Sequence, residues 1–455
     1  MNPASIASAL YGELRGYHRL SIRRRVEANE HLPFGEMARL NEREFAAHVH
    51  RSIARFPFYA DRVRAHRGSL PSPGEPLRSD ELPVWTRHDQ RALFAQQERP
   101  HDSMFAHQTS GSTSLPVRFH ITRESWEWRN AIVDRAYAWA QAEEGRKSLY
   151  VWAADQKRPD LAQRIKHGVH MRLQRRVQFD AFQQFGDAER AACVSLINRF
   201  RPHSIVGYTG QLVDIARYVR DHPGVLTWKA KTLVNAAEGL QPGQRELLQS
   251  TLVDQVFLSY GCREFMSVGM ECDRHVGYHL NTDNLLVEAV DDEGRPVRPG
   301  EEGRIVVTDY HNAATPFIRY EIGDIGVMAP PDTRCACGLP FPLLKSVDGR
   351  LQDVVHTSNG PISGLYITYT MRQFDDWIEG YQVVQDEKDR ITVRLLTKSE
   401  FTPEKLRPVE ALLKKKLGDD MAIVFERAHE LTRRRSGKVA LVISSIEATP
   451  GVGPT

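Results

Sequence analysis

The apolar and polar positions divide the first part of the chain into stretches of different character. Residues 1 to about 66 are predicted to be helical, because Ile6, Leu10, Leu14 and Tyr17 recur at helical spacing. The following stretch, 68–83, contains four prolines and cannot continue a helix or a central strand. We therefore expect an extended connector there.

From the connector to about residue 348, short apolar runs alternate with amphipathic segments. This alternation is typical of α/β proteins. The predicted strands are 204–207, 232–235 and 255–259, and the predicted helices are 211–220 and 244–252. Two longer strands, 285–290 and 304–308, flank a polar turn at 291–294 and are expected to pair as an antiparallel hairpin.

After Gly349 the pattern predicts a small α+β unit. A strand pair turns around 386–389 and continues through 391–395. The next helix is expected to start at Thr402 and Pro403, to be kinked by Pro408 and to end at Gly418. The sequence therefore predicts two domains of an α/β fold: a large multi-sheet N-terminal domain (1–348) and a small α+β C-terminal domain (349–455).

Composition agrees with this organisation and excludes some classes of function. The 455 residues exceed what one hydrophobic core usually holds, and 41% of them are hydrophobic. The net charge of +3 is ordinary for a soluble protein, so a nucleic-acid partner has only the basic N-terminal helices in its favour. Neither a signal peptide nor a run of about 18 apolar residues is apparent. We expect a cytoplasmic protein with no membrane partner.

A Ser/Thr-rich segment follows the predicted connector and precedes a strand at 117–122. Small hydroxyl residues around a glycine let backbone N–H groups approach an anion while the hydroxyls donate further hydrogen bonds. The segment is predicted to bind phosphate, although an ordinary solvated turn is the alternative. The segment differs from the common nucleotide-binding P-loop, because no lysine follows its glycine. Its residues are Thr109, Ser110, Gly111, Ser112 and Thr113.

Two further segments have the composition of a nucleotide site about 150 residues downstream. Small residues and a tyrosine at strand ends can sandwich a flat base, and a carboxylate a few residues later can hold Mg²⁺ against phosphate oxygens. The carboxylate is Glu264. Strand ends with a surface glutamate are the alternative. The residues that would flank the base are Ala236, Ala237, Glu238, Ser259, Tyr260 and Gly261.

Three charged residues near the C-terminal half complete the set. Asp324 lies in a Gly-bounded turn and suits the two hydroxyls of a ribose, and Arg350 can add donors to sugar and phosphate. Lys438 follows a Ser-Gly pair at the head of a predicted strand, where it can stabilise charge that develops at an α-phosphate. Each could also be an ordinary surface charge.

The order and spacing of these segments resemble the adenylate-forming superfamily, and within it the phenylacetate-CoA ligase family with its CapK-like members. The resemblance covers about residues 40–445. It implies that Thr109–Thr113 bind the ATP phosphates, that Glu264 binds magnesium and that Asp324 and Arg350 bind the ribose. It also implies that Lys438 enters the site for adenylation on a mobile C-terminal domain.

The sequence departs from the family pattern in three places. Ser114 stands where the phosphate loop usually has glycine, and Gln352 stands at the hinge where the family usually has aspartate or lysine. The Gly-rich stretch that shapes the acid pocket of true phenylacetate ligases is absent. Tyr150, Trp152 and Tyr208 are candidates for lining that pocket, with core packing as the alternative. The acid is therefore not expected to be phenylacetate by default.

Four residues offer a Cys₃His ligand set for tetrahedral zinc: Cys272, His279, Cys335 and Cys337. His275 is the rival to His279. The family resemblance also implies a zinc knot, which we expect to be structural because four protein ligands leave no open position. Cys193 and Cys262 are expected to be packing residues.

The expected activity has two steps. A carboxylate attacks the α-phosphorus of MgATP to give acyl-AMP and pyrophosphate, and an acceptor then takes the acyl group. CoA is the acceptor that the family implies, and an amine is the alternative. A catalytically silent nucleotide- and zinc-binding protein is a further alternative, which the presence of Lys438 and Glu264 disfavours. A homodimer is left open.

Overall fold

The computed structural model describes most of the chain, with short gaps. The described residues are 13, 19–72, 74–96, 104–108, 117–152, 168–180, 186–236, 239–240, 243–347, 354–358, 360–374, 377–397, 401–429, 431–432 and 442–446. By their contacts they form two units. One comprises the described residues up to 347 apart from Val117, and the other comprises Val117 with the described residues from 354 onward.

Helices of the first unit cluster at its N-terminal end and around a parallel sheet. Their bounds are α1 (Arg19–Asn29), α2 (Phe34–Arg55), α3 (Pro57–Arg67), α4 (Arg87–Gln96), α5 (Arg123–Trp139), α6 (Asp187–Phe200), α7 (Thr209–Asp221) and α8 (Gln244–Thr251). Local chemistry sets several of these ends. Pro57 is the first residue of α3, Gly68 ends it with a φ of 86°, and the Thr122 side chain caps α5 by accepting from Ser125 N–H.

The predicted helical character of the N-terminal region is confirmed for its described part. The predicted connector contains no strand among the residues the structure describes, only a 3₁₀ turn at Ser79–Glu81. No helix in the described part of the chain is both long and apolar enough to cross a membrane.

A five-stranded parallel sheet confirms the α/β prediction. Its strands are β3 (Ser148–Trp152), β4 (Arg176–Asp180), β5 (Ser204–Tyr208), β6 (Ala230–Ala236) and β7 (Val253–Phe257), in the order β4-β3-β5-β6-β7. Every residue of β5 is buried, because helices cover both faces of such a sheet. Arg176 opens β4, where it lies opposite Ser148 of β3.

A second, seven-stranded antiparallel sheet holds most of the remaining strands of this unit. They are β8 (Ser259–Cys262), β9 (Met266–Met270), β10 (Tyr278–Leu280), β11 (Leu285–Val290), β12 (Glu302–Asp309), β13 (Tyr320–Met328) and β14 (Leu343–Val347), in the order β11-β12-β13-β14-β10-β9-β8. The predicted hairpin is confirmed, because β11 pairs with β12 from Leu285↔Asp309 to Val290↔Arg304. A separate hairpin, β1 (Met104–Gln108) with β2 (Arg118–Thr122), brackets the predicted phosphate loop.

The second unit is a small α+β structure. Its strands are β15 (Val354–Thr357), β16 (Gly360–Ser363), β17 (Ile378–Glu387), β18 (Arg390–Thr397), β19 (Ala422–Arg427) and β20 (Val442–Ser444), and its helices are α9 (Gly364–Met371) and α10 (Leu406–Leu417). The main sheet has the order β19-β18-β17-β20. The predicted strand pair is therefore confirmed, with Glu387↔Arg390 at its turn.

The predicted kink at Pro408 was wrong. Pro403–Lys405 form a 3₁₀ turn, and the α-helix begins only at Leu406. Pro408 thus lies in the first turn of α10, where its missing N–H has no helical acceptor to lose. The helix ends before Gly418, as predicted.

Candidate functional site

Asn235 joins the two sheets of the first unit at one point. Its side-chain oxygen accepts a hydrogen bond from the Ser259 N–H (2.8 Å), and its side-chain nitrogen donates to Thr209 Oγ1 (3.2 Å). Asn235 is buried near the end of β6, whereas Ser259 opens β8. The first residues of β8 are therefore held beside the carboxyl end of the parallel sheet, where α/β folds bind ligands.

Tyr260 and Asp324 form the central contact of the candidate nucleotide site. The Tyr260 hydroxyl donates to Oδ2 of Asp324 at 3.0 Å, and both residues are 9% exposed. The two residues are 64 positions apart and lie on β8 and β13, which are not neighbouring strands. The structure thus brings together the residue predicted to flank the base and the residue predicted to bind the ribose.

Gly261 follows Tyr260 at an irregularity between β8 and β9. A Cβ atom at Gly261 would overlap the carbonyl oxygen of Met266, its near partner across the strand pair. The residue must therefore be glycine for a steric reason. Ala236, predicted to flank the base from the other side, is buried at the end of β6.

Glu264 is a buried carboxylate directly after β8. It is 4% exposed, and the Tyr320 hydroxyl donates to its Oε1 at a long 3.5 Å. No lysine or arginine forms an ion pair with Glu264 within the part of the chain that the structure describes. A buried carboxylate of this kind needs a compensating charge. Its oxygen ligands and its burial fit Mg²⁺ bound together with phosphate oxygens.

Tyr320 was not among the predicted site residues, although it lies on the same strand as Asp324, four residues before it. Burial raises the pKa of its hydroxyl well above the usual range, so the group stays a hydrogen-bond donor to Glu264. Burial and the nearby Glu264 likewise raise the pKa of Cys262, which packs against the hydrophobic core of the first unit, as predicted. Tyr320 and Glu264 are 56 positions apart in the sequence, so their contact could be recognised only from the fold.

Several predicted site residues lie outside the described residues. They are Thr109, Ser110, Gly111, Ser112, Thr113, Ser114, Ala237, Glu238, Arg350, Gln352 and Lys438. Their roles stay predictions. The described part of the site comprises Ala236, Ser259, Tyr260, Gly261, Glu264 and Asp324, all in the first unit.

Two aromatic residues stack at the carboxyl end of the parallel sheet. The rings of Trp152 and Tyr208, at the ends of neighbouring strands β3 and β5, lie 4.3 Å apart between centroids. Tyr150 is placed differently, since its ring lies under the Arg176 guanidinium at 4.2 Å. Of the three candidates for an acid pocket, Trp152 and Tyr208 are therefore at the expected edge of the sheet.

The four predicted zinc ligands lie together. Their ligand atoms are all within 4.8 Å of one another, with Cys272 Sγ 3.7 Å from Cys335 Sγ and Cys337 Sγ 3.3 Å from His279 Nε2. Zinc–sulfur bonds of about 2.3 Å in a tetrahedron place two sulfurs about 3.8 Å apart. The geometry of these two pairs therefore fits a tetrahedral zinc ion.

The surroundings of His279 suit a ligand that binds through Nε2. Its Nδ1 lies 3.4 Å from the Phe341 carbonyl oxygen, the kind of contact that fixes the tautomer of a metal-binding histidine. Burial lowers the pKa of the ring to about 4, so the ring is neutral. Burial also raises the pKa of Cys337 to about 12, and a bound cation would reverse this effect on the thiol.

His275, the rival ligand, makes other contacts. Its Nδ1 lies 3.2 Å from Glu271 Oε2 and 3.3 Å from Arg245 Nη1, and its ring packs against Phe257. It does not belong to the group of four ligand atoms. The choice between the two histidines, which spacing left open, therefore falls on His279.

Comparison with known proteins agrees with the two-unit fold. Residues 354–445 match the CapK C-terminal domain. Protein CapK of Staphylococcus aureus is 22% identical over 259 residues, a match that spans 56% of this chain and only about half (55%) of CapK.

Solved structures of 2-hydroxyisobutyryl-CoA ligase are similar over nearly the whole chain. The complex with 2-HIB-AMP and CoA in the thioesterification state has 19% identity, a TM-score of 0.61 and 91% coverage of each chain. The postadenylation complex with 2-HIB-AMP has 18% identity, a TM-score of 0.59 and the same coverage. At these identities the likeness shows the fold. Together with the matched C-terminal domain and the CapK relative, it supports the resemblance to the CapK-like, phenylacetate-CoA ligase branch of the adenylate-forming superfamily.

Proposed function

We propose that the protein activates a carboxylic acid with MgATP, giving acyl-AMP and pyrophosphate, and then transfers the acyl group to CoA. The observation that carries the proposal is the buried contact between Tyr260 and Asp324 beside Glu264. In this reading Tyr260 flanks the adenine and Asp324 accepts hydrogen bonds from the ribose hydroxyls. The fold, shared with a ligase whose structures hold an acyl-AMP and CoA, supports the same reaction class.

The first step needs charge compensation more than covalent chemistry. Glu264 would hold Mg²⁺, which neutralises the phosphate oxygens as pyrophosphate departs. Lys438 would donate to the α-phosphate oxygens while the carboxylate attacks in line. Such preorganised charge is usually the largest contribution to this kind of catalysis. The acid, an aryl or related carboxylate, would lie near Trp152 and Tyr208, whose stacked rings offer a flat apolar surface.

The acceptor in the second step is CoA in our proposal and an amine in the alternative. The neighbouring ligase was solved with CoA in a thioesterification state, which favours the thiol. The departures at Gln352 and in the acid-pocket region favour the amine slightly. No described residue distinguishes the two.

We further propose that Cys272, His279, Cys335 and Cys337 hold one structural zinc ion. The four ligands come from the β9–β10 connection, from β10 and from the segment before β14. A closed set of four protein ligands leaves no position for substrate, so the ion would stabilise the fold and take no part in catalysis.

Pyrophosphate release tests the activity directly. The full chain is incubated with MgATP and a panel of aryl and alkyl carboxylic acids, including phenylacetate, benzoate and 2-hydroxyisobutyrate, and then with CoA or an amine. We expect at least one acid to elicit pyrophosphate and CoA to give a thioester. If no acid elicits pyrophosphate, the catalytic proposal is refuted. An amide formed faster than the thioester would favour the alternative acceptor.

Lys438→Ala tests the division of labour between the two steps. Adenylation should fall roughly 100-fold, the usual loss when one stabilising donor is removed from a transition state. Thioester formation from supplied acyl-AMP should change little. Equal loss in both half-reactions would contradict the role of Lys438, and Glu264→Gln serves as the comparison that should also impair adenylation.

A further inference from the structure

A cavity lies between α1 and α2 in the first unit. Its volume of about 400 Å³ falls within the range of roughly 300–1,000 Å³ that small-molecule sites occupy. Arg25 and Asn29 of α1 line one wall, one face of α2 between residues 36 and 43 lines the other, and Leu32 of their connection completes the lining. We call this space the arginine cavity, because three of its lining residues are arginines. None of its lining residues belongs to the candidate nucleotide site or to the predicted zinc cluster.

The α2 wall contains two uncompensated arginines, Arg39 and Arg43. Both are exposed, and neither forms a hydrogen bond or an ion pair with a residue that the structure describes. By contrast, the exposed Arg64 of α3 pairs with Asp61 at 2.7 Å. Residues four apart on a helix are neighbours, so the charges of Arg39 and Arg43 repel each other across one face of α2. A bound anion would remove this repulsion.

The third arginine of the cavity, Arg25, is held in place by two contacts. Its Nη2 donates to Glu44 Oε1 at 2.7 Å, and its guanidinium lies over the Trp128 ring, 5.1 Å from the centroid. A guanidinium has five N–H donors, so the contact with Glu44 leaves donors for a ligand. An arginine that is already ordered loses less entropy when it binds an anion.

The α1 wall is fixed from the interior of the unit by buried polar contacts. Asn29 is 7% exposed, and its Nδ2 donates to Asp283 Oδ2 at 3.1 Å. Arg135 of α5 binds the same carboxylate through both terminal nitrogens (2.7 and 2.8 Å) and donates to the Val26 carbonyl oxygen (3.1 Å). The end of α1 is therefore anchored to α5 and to the segment before β11, and the cavity is largely preformed.

The charges of the lining favour a doubly charged anion. Three arginines and one acidic residue, Glu36, give the lining a net charge of +2. A phosphate monoester carries a charge of about −1.5 to −2 at pH 7, and arginine forks bind its oxygens through pairs of parallel hydrogen bonds. The Glu36 carboxylate can accept a hydrogen bond from a ligand hydroxyl, and Leu32 and Leu40 offer apolar surface to the carbon skeleton. A single carboxylate would leave positive charge in the cavity uncompensated.

We infer that the arginine cavity binds a molecule that carries a phosphate monoester, with Arg39 and Arg43 as the residues that recognise the phosphate group. The inference goes beyond the function proposed above, because it requires no ATP, carboxylic acid or CoA. Soluble phosphorylated molecules and the headgroup of phosphatidic acid share this chemistry, and the experiment distinguishes these two sources.

The experiment measures binding to the full chain by isothermal titration calorimetry. The soluble probes are inorganic phosphate, glycerol 3-phosphate and glucose 6-phosphate, and the corresponding controls are acetate, glycerol and glucose. Vesicles of phosphatidylcholine with and without phosphatidic acid are tested by co-sedimentation. The cavity variant combines Arg39→Gln with Arg43→Gln. The control variant combines Arg24→Gln with Arg55→Gln, which removes two exposed arginines from the same two helices outside the cavity.

We expect at least one phosphate monoester to bind the wild type at a saturable site with a Kd below about 1 mM. The cavity variant should bind at least roughly tenfold more weakly, because it loses charged hydrogen bonds to the phosphate, and the control variant should bind like the wild type. Both substituted positions of the cavity variant are exposed and uncompensated, so its unfolding temperature should match that of the wild type.

The cavity variant also separates this site from the predicted phosphate loop at Thr109–Thr113, where binding would survive the substitutions. Equal affinity of the wild type and the cavity variant therefore overturns the inference. It is also overturned if acetate binds as tightly as the phosphate monoesters, or if neither the soluble phosphates nor the phosphatidic acid vesicles bind. Binding of a soluble probe that is lost in the cavity variant assigns the cavity to a small molecule. The same loss with vesicles alone assigns it to a lipid headgroup.

Discussion

His48 is completely buried in α2, and its ring nitrogen Nε2 has no hydrogen-bond partner among the described residues. Burial lowers its pKa from 6.5 to about 3; the nearby Asp309 opposes this effect, whereas Arg51 and His311 add to it. The folded protein therefore holds a neutral imidazole over the pH range in which an exposed histidine becomes charged. Acid should destabilise the fold through this residue.

The size of the effect follows from the two pKa values. Because the folded state binds the proton more weakly, His48 stabilises the protein fully above the unfolded pKa of about 6.5. This stability is lost as the pH falls from there toward the folded pKa. Between pH 8 and pH 5 the loss is about 2 kcal/mol, since an unfolded histidine is almost fully protonated at pH 5 and the buried one is not. This figure depends mainly on the unfolded pKa, because the folded value lies well below 5.

The test replaces His48 with methionine, which fills the site without a titratable group. Urea unfolding of wild type and His48→Met is followed by tryptophan fluorescence at pH 8 and pH 5. The loss of unfolding free energy on acidification should be about 2 kcal/mol smaller in the variant. His31→Met, at an exposed position, should behave like the wild type. An identical pH dependence for wild type and His48→Met would refute the reasoning.

Two further predictions concern the metal cluster and the nucleotide site. Purified protein should carry zinc with X-ray absorption distances of about 2.3 Å to sulfur and about 2.0 Å to nitrogen. Cys337→Ser should lower the zinc content and Cys193→Ser should not; zinc-free wild type would contradict the site. Tyr260→Phe removes the donor to Asp324, a hydrogen bond to a charged group that contributes about 1.5–3 kcal/mol. The affinity of Tyr260→Phe for ATP should therefore fall roughly tenfold, whereas its affinity for the acid should change little. The control variant Tyr218→Phe should bind both ligands like the wild type. Equal weakening of ATP and acid binding would contradict the assignment of Asp324 as the residue that binds the ribose.

Local patterns in the sequence predicted the secondary structure where burial is strongest. The fully buried β5 contains the apolar pair Ile205 and Val206, and the polar turn at 291–294 marks the β11–β12 hairpin, because both signals depend only on neighbouring residues. The helix around Pro408 was predicted less well. The 3₁₀ turn at Pro403–Lys405 shifts the start of α10 to Leu406. Pro408 therefore lies in the first turn of the helix, where it breaks no helical hydrogen bond.

Contacts between distant residues could not be predicted from spacing. Tyr260 and Asp324 meet although three strands separate β8 from β13 in the sheet order. Likewise, the spacing of Cys272 is compatible with either His275 or His279. The pairing of β10 with β9 and β14 places His279 opposite Met270 and Leu343, and so decides which imidazole reaches the thiols.

The two carboxylates of the candidate site, Asp324 and Glu264, share one structural feature that bears on their proposed roles. Each accepts a hydrogen bond from a tyrosine hydroxyl: Asp324 from Tyr260 at 3.0 Å, and Glu264 from Tyr320 at 3.5 Å. A tyrosine donor orients a carboxylate without neutralising it, whereas a lysine or arginine would. The remaining lone pairs of the carboxylate can then serve another partner. Glu264 forms no ion pair with a lysine or arginine among the described residues, and such a buried negative charge is costly in the free protein. A carboxylate of this kind gains most from a divalent cation, which MgATP supplies.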